Sequence, residues 1–134
     1  MKSFVLDNSV AICWFLKSQS TPYTEMALRR VANGAKLAVP SLWSSEFINV
    51  ISKAVQMQAL DSSAAEAILK HAKALPILPK AAPELADLFT LTERYRISAY
   101  DATYLELAMR LQLPLATADT QLAKAAKSVG LFLS

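Results

Sequence analysis

Five short apolar runs recur along this chain without alternating polar residues: Phe4-Val5-Leu6, Leu37-Ala38-Val39, Ile77-Leu78, Leu115-Ala116-Thr117 and Leu131-Phe132-Leu133. Runs of this kind suit strands covered on both faces, as in a parallel sheet between helical layers. Between them lie longer helical patterns. Trp43, Phe47, Val50, Ile51 and Ala54 recur at three- and four-residue spacing, as do Leu105, Ala108, Met109 and Gln112. Pro40, Pro76, Pro79, Pro83 and Pro114 punctuate the joins, Asp61-Ser62-Ser63 reads as a helix N-cap, and Gly34 and Gly130 stand where helices end. The predicted order is β-α-β-α-α-β-α-α-β-α-β. It implies a three-layer α/β/α fold with an open, mostly parallel five-stranded sheet, whose ligands bind outside the carboxyl ends of the strands.

A chain of 134 residues fits one domain, and with two glycines there is no glycine-rich linker to divide it, so residues 1–134 are expected to form a single unit. Its 54% hydrophobic content is enough to offset the entropy of ordering. The longest apolar run, Ala11 to Leu16, falls far short of the roughly 20 residues that cross a bilayer, and Asp7 interrupts the N-terminal segment. A cytoplasmic protein without membrane attachment is the expectation. The lone Cys13 allows no intramolecular disulfide and no cysteine zinc cage, and it reads as core. The lone His71 excludes a two-histidine ribonuclease mechanism and reads as surface. Trp14 and Trp43 lie in apolar helical patterns and are expected in the core rather than stacked on bases.

Four acids stand out by position. Asp7 directly follows the first apolar run and should emerge at the carboxyl edge of the sheet, where a turn or helix-capping aspartate is also ordinary. Glu46 comes early in the helix after Pro40-Ser41, near its apolar face, where the helix dipole alone would favour a glutamate. Asp101 sits three residues after Ser98, the capping-box spacing, yet shares a face with Leu105 and Ala108, so capping and an inward role are both open. Asp119 closes Leu115-Ala116-Thr117-Ala118-Asp119, again past a strand at a helix start. Independent caps need not converge, whereas three of these acids follow three strands at one edge. Alternation does not fix which edge the Asp101 helix starts from, because two helices separate the third and fourth strands.

In order, Leu6-Asp7-Asn8-Ser9, Ser44-Ser45-Glu46-Phe47, Ala99-Tyr100-Asp101-Ala102-Thr103-Tyr104 and Thr117-Ala118-Asp119-Thr120-Gln121-Leu122 resemble the signature of the PIN-domain ribonucleases, especially the VapBC-type toxins. The resemblance spans nearly the whole chain. It implies that Asp7, Glu46, Asp101 and Asp119 are the catalytic acids and ligate one or two Mg²⁺ or Mn²⁺ ions, with Ser9 and Thr117 as supporting polar groups. It further implies endoribonuclease activity on RNA, a homodimer or larger toxin-antitoxin assembly, and inhibition by a small cognate antitoxin that inserts a segment into the active-site groove.

These residue types suit that chemistry. Phosphodiester hydrolysis needs water made nucleophilic and charge relieved in the transition state, and divalent cations on hard oxygen ligands provide both. Two carboxylates about 4 Å apart repel by roughly 4 kcal/mol at an effective dielectric near 20, so a cluster strains the fold until a cation relieves it. The formal charge is +3, from 14 Lys and Arg against 11 Asp and Glu. Setting the four acids aside leaves seven acidic residues against 14 basic ones, a balance of +7 that could steer RNA. Arg29, Arg30, Lys36, Lys53, Arg94, Arg96, Lys124 and Lys127 are candidates for steering, though each also suits an ordinary solvated face. Two alternatives remain open: an inactive PIN-like scaffold that binds RNA or protein, and an aspartate-nucleophile phosphatase or phosphotransferase. Against the second, Asn8-Ser9 follows Asp7 without a nearby second Asp. Glycine-rich phosphate loops, a His-Glu-x-x-His motif and a Gly-x-Ser-x-Gly elbow are all missing.

Overall fold

A computed structural model describes residues 3–134. Its sheet is built from β1 (Phe4–Leu6), β2 (Leu37–Pro40), β3 (Ile77–Lys80) and β4 (Leu115–Ala116), all parallel, in the order β3-β2-β1-β4. Phe4 pairs with Leu37, Val5 with Leu115, and Leu37 in turn with Ile77. The residues of β1, β2 and β4 are buried, as their unbroken apolar runs require, whereas β3 at the edge is partly exposed.

The helices are α1 (Asn8–Phe15), α2 (Pro22–Ala32), α3 (Trp43–Gln56), α4 (Ser62–Lys73), α5 (Leu85–Tyr95), α6 (Ala99–Leu111) and α7 (Thr120–Ser128). Helices α1 to α4 pack on one another as one layer, and α5 and α7 pack on α6, which lies across β1, β2 and β4 as the other. The chain steps from β1 outward to β3 and then returns past β1 to β4, and the right-handed crossovers that parallel strands adopt as a rule put the two layers on opposite faces of the sheet. The three-layer expectation holds.

Two local expectations need correction. The sequence pattern predicts one helix between the first two strands, and the structure has two. Helix α1 ends at Leu16 (φ −104°, ψ 85°), a short 3-10 turn spans Lys17–Gln19, and α2 restarts at a Thr21 capping box with Pro22 at its first position. Proline there lacks only an N–H that would have no helical partner.

The predicted fifth strand, Leu131-Phe132-Leu133, is a single parallel bridge between Phe132 and Leu115, so the sheet has four strands. Leu115 N donates to Leu131 O (2.6 Å) and Leu133 N donates to Leu115 O (2.9 Å). Pairing stops there because β4 spans two residues before the chain turns off at Thr117, whose side chain is committed elsewhere. The predicted caps are present: Asp61 accepts from Ala64 N (2.7 Å), and Gly34 and Gly130 both have positive φ after helix ends.

Candidate active site

Asp7 is placed by backbone pairing that continues one residue beyond β1: its N–H donates to Ala116 O at 3.1 Å. Its carboxylate therefore stands at the carboxyl edge between β1 and β4, where the chain's strand order reverses direction, the place where open α/β sheets bind ligands. Asp7 occupies the N-cap position of α1 yet makes no side-chain cap bond. Instead its Oδ2 accepts from Ser9 Oγ (2.7 Å) and from Thr117 Oγ1 (2.8 Å).

Each hydroxyl is itself aimed from behind. Ser9 Oγ accepts from Ala118 N (2.9 Å) and Thr117 Oγ1 from Asp119 N (3.1 Å). A hydroxyl has one proton to give, so with both spent on Asp7 the 3.3 Å approach of Ser9 to Thr117 is a contact rather than a further bond. Asp7 is 7% exposed, and burial pushes its carboxyl up, against the opposing pull of the Ser9 and Thr117 bonds.

Glu46 lies in the first turn of α3 and is half-buried. Its Oε1 accepts from Tyr104 Oη at 2.5 Å and from Asn8 Nδ2 at 3.4 Å. Asn8 Nδ2 also donates to Trp43 O (3.1 Å), which ties the α1 start to the α3 start. Burial and the Glu46 carboxylate hold the Tyr104 phenol far above its ordinary range, so it stays a donor.

Asp101 lies in the first turn of α6, where Ser98 Oγ accepts from Asp101 N (3.1 Å). The return bond that would complete a capping box is not made, which leaves the carboxylate to the pocket. Burial, and then the charges of Asp119, Asp7 and Glu46, raise its carboxyl to about 6. Tyr104, one turn further along α6, meets Glu46 and Asn8, so α6 starts at the same edge as the other acids. Asp119 caps α7, its Oδ2 accepting from Leu122 N (2.8 Å), and its charge also bears on Asp7.

All four predicted acids are thus brought to one edge, with Ser9 and Thr117 on Asp7. Among the described residues no group of three or more Asp, Glu, His or Cys side chains is arranged to hold a metal ion. Their chemistry nevertheless suits a hard divalent cation: all are carboxylates, and the upward shifts at Asp7 and Asp101 are of the kind that a bound cation reverses.

Two participants were missed in the sequence. Asn8 is buried directly after Asp7, and Tyr104 shares a helix face with Asp101 at 1% exposure, where a phenol needs a partner. Elsewhere the expectations hold: Trp43 and Cys13 are buried, Trp14 is half-buried with its Nε1 donating to Thr24 O, His71 is exposed, and all eight basic candidates are exposed. A cavity of about 750 Å³ lined by Ser3, Leu78, Lys80, Gln112, Pro114 and Gly130 has no carboxylate in its lining.

The chain is thus an all-parallel three-layer α/β domain with acids at its switch point. The PIN domain family model matches residues 4–128, and the chain belongs to that family. A similar fold is seen in the crystal structure of PAE2754 from Pyrobaculum aerophilum, at 21% identity and a TM-score of 0.71, covering 92% of this chain and 78% of that one. A search among curated proteins gave no match. Among the described residues no helix is long and apolar enough to cross a membrane.

Proposed function

We propose that this chain is a divalent-metal-dependent endoribonuclease and the toxin of a type II toxin-antitoxin pair, acting in the cytoplasm on RNA phosphodiester bonds. The observation that supports the nuclease reading is that Asp7, Glu46, Asp101 and Asp119 come from four separate elements to one sheet edge, where Thr117 bonds to Asp7 and Tyr104 of the Asp101 helix bonds to Glu46. The toxin role rests on the order of the four motifs, and with it come a cognate antitoxin and a homodimer as partners.

In this reading the four carboxylates hold Mg²⁺ or Mn²⁺. The bound cation would polarise the scissile phosphate and lower the pKa of water at neutral pH. Ser9 and Thr117 fix Asp7 in one rotamer by donating to its Oδ2, so the carboxylate would be held in place for a cation. Tyr104 and Asn8 do the same for Glu46 from the side. Asp119 keeps one oxygen on the helix cap and offers the other. Asp101, with no cap bond to its carboxylate, would be free to turn toward the cation, whose charge would reverse the upward shift of its carboxyl.

The test is incubation of purified protein with total RNA and Mn²⁺ or Mg²⁺, beside an EDTA control and the Asp7→Asn and Asp101→Asn variants. Discrete products that vanish with EDTA and in both variants support the assignment. Intact RNA in every lane, with protein shown to be folded and metal-loaded, moves the assignment to an inactive binding scaffold, and turnover of phosphate monoesters moves it to a phosphatase.

A further inference from the structure

Beside the acid edge, between the end of α5 and α7, runs a groove of about 440 Å³ lined by Arg94, Tyr95, Arg96, Gln121, Lys124 and Ser128. Its lining holds three cations, an amide and two hydroxyls, and no carboxylate. The one ion pair among the described residues is Arg110 with Glu106, so none of the three groove cations is spent on an acid there. All three are exposed.

Arg96 is the left-handed residue that ends α5 (φ 55°, ψ 43°), a position that helices commonly give to glycine. Gln112 ends α6 in the same conformation, so the backbone itself is ordinary for this chain, and what distinguishes Arg96 is its exposed cation at the α5–α6 turn. Two residues on, Ser98 caps the helix that carries Asp101. On the other wall, Gln121 and Lys124 belong to the first turns of α7, which Asp119 caps. The segments that form the groove are therefore the ones that present two of the four acids, so an anion lying along it abuts the acid edge.

We propose that this groove seats the backbone phosphates of a single RNA strand next to the bond to be cut, and so sets the path along which the strand crosses the acids. The inference rests on the nuclease reading for the word "cut" but not for the binding itself. Guanidinium forks and a flexible ammonium in a carboxylate-free groove match successive phosphates without reading bases. Sequence preference, on this account, is set elsewhere.

The test is fluorescence anisotropy with a short fluorescein-labelled single-stranded RNA over a series of salt concentrations, with Ca²⁺ in place of Mg²⁺ or Mn²⁺ so that the acids are neutralised, and with the RNA shown to be intact on a gel afterwards. The groove variant carries Arg94→Gln, Arg96→Gly and Lys124→Gln, glycine being chosen because it accepts the φ of Arg96 without strain. A control of equal charge loss carries Lys17→Gln, Lys70→Gln and Lys73→Gln, which do not line the groove. Melting curves establish that both are folded.

The groove variant is expected to bind at least about tenfold more weakly and to lose about 2 from the slope of log affinity against log salt, as three phosphate contacts require at about 0.7 each. The control should lose only the modest share due to net charge. Equal losses in the two variants, no loss in either, or no measurable binding by the unmodified protein at low salt would each overturn the groove. Intact groove-dependent binding without any cleavage would instead count against the nuclease reading alone.

Discussion

At Asp101 a helix start and a pocket compete for one side chain, and the pocket has it: Ser98 caps the backbone while the carboxylate stays among like charges. A neutral amide removes the repulsion and keeps the shape, so Asp101→Asn should raise the melting temperature of the metal-free protein while abolishing cleavage. Solvent screening at this half-exposed group holds the gain to about 1 kcal/mol, a few degrees. The pH dependence has a definite sign. The folded carboxyl titrates near 6 against 3.8 for the ordinary group, so between those values the folded protein binds more protons than the unfolded one. Stability from this residue is therefore full below 3.8 and lost as pH rises through 6. Melting curves of wild type and variant should coincide at the acid end of that window and separate above it, with the variant higher. Tyr104→Phe removes the 2.5 Å bond to Glu46. It should cost about 1.5 kcal/mol of stability and roughly tenfold in Mn²⁺ affinity or cleavage, the scale for a group that orients a ligand. A variant that melts lower but cleaves normally would leave Tyr104 with a structural role only.

Among the elements, the strands were legible because each is a short apolar run, buried throughout in β1, β2 and β4, and three of the acids followed from where those runs stop. What failed to show was set by contacts remote in sequence. The restart at α2 lay in Thr21-Pro22, a local signal hidden inside a longer stretch that also reads as one helix. Thr21→Ala should cost about 1 kcal/mol in a denaturant melt by removing the cap, and no loss would mean that packing of α2 on α1 alone sets its start. The fifth strand was misread because an apolar run shows that a segment is covered without showing how many rungs it makes; Leu131–Leu133 makes one. The edge from which α6 begins was not legible, since two helices between strands can reverse direction once more than a single crossover does. The roles of Asn8 and Tyr104 were hidden for the same reason, because the Tyr104–Glu46 bond joins residues 58 apart.

As a whole, the molecule places its densest negative charge on a chain of net charge +3, so the remaining surface carries the cationic excess. A polyanion would be drawn to the surface by that excess and admitted to the acid edge once cations are bound there. Cleavage efficiency, as kcat/KM on a defined RNA, should therefore fall roughly tenfold between about 50 and 200 mM salt, and a flat profile would remove electrostatic steering from the account. The central claim is that the four acids form one cation-holding site, and calorimetric titration of Mn²⁺ into the wild type and into Asp7→Asn, Glu46→Gln, Asp101→Asn and Asp119→Asn tests it most directly. The account requires saturable binding by the wild type that weakens in every one of the four variants. Affinity unchanged across all four would contradict it, whatever RNA the protein is later found to touch.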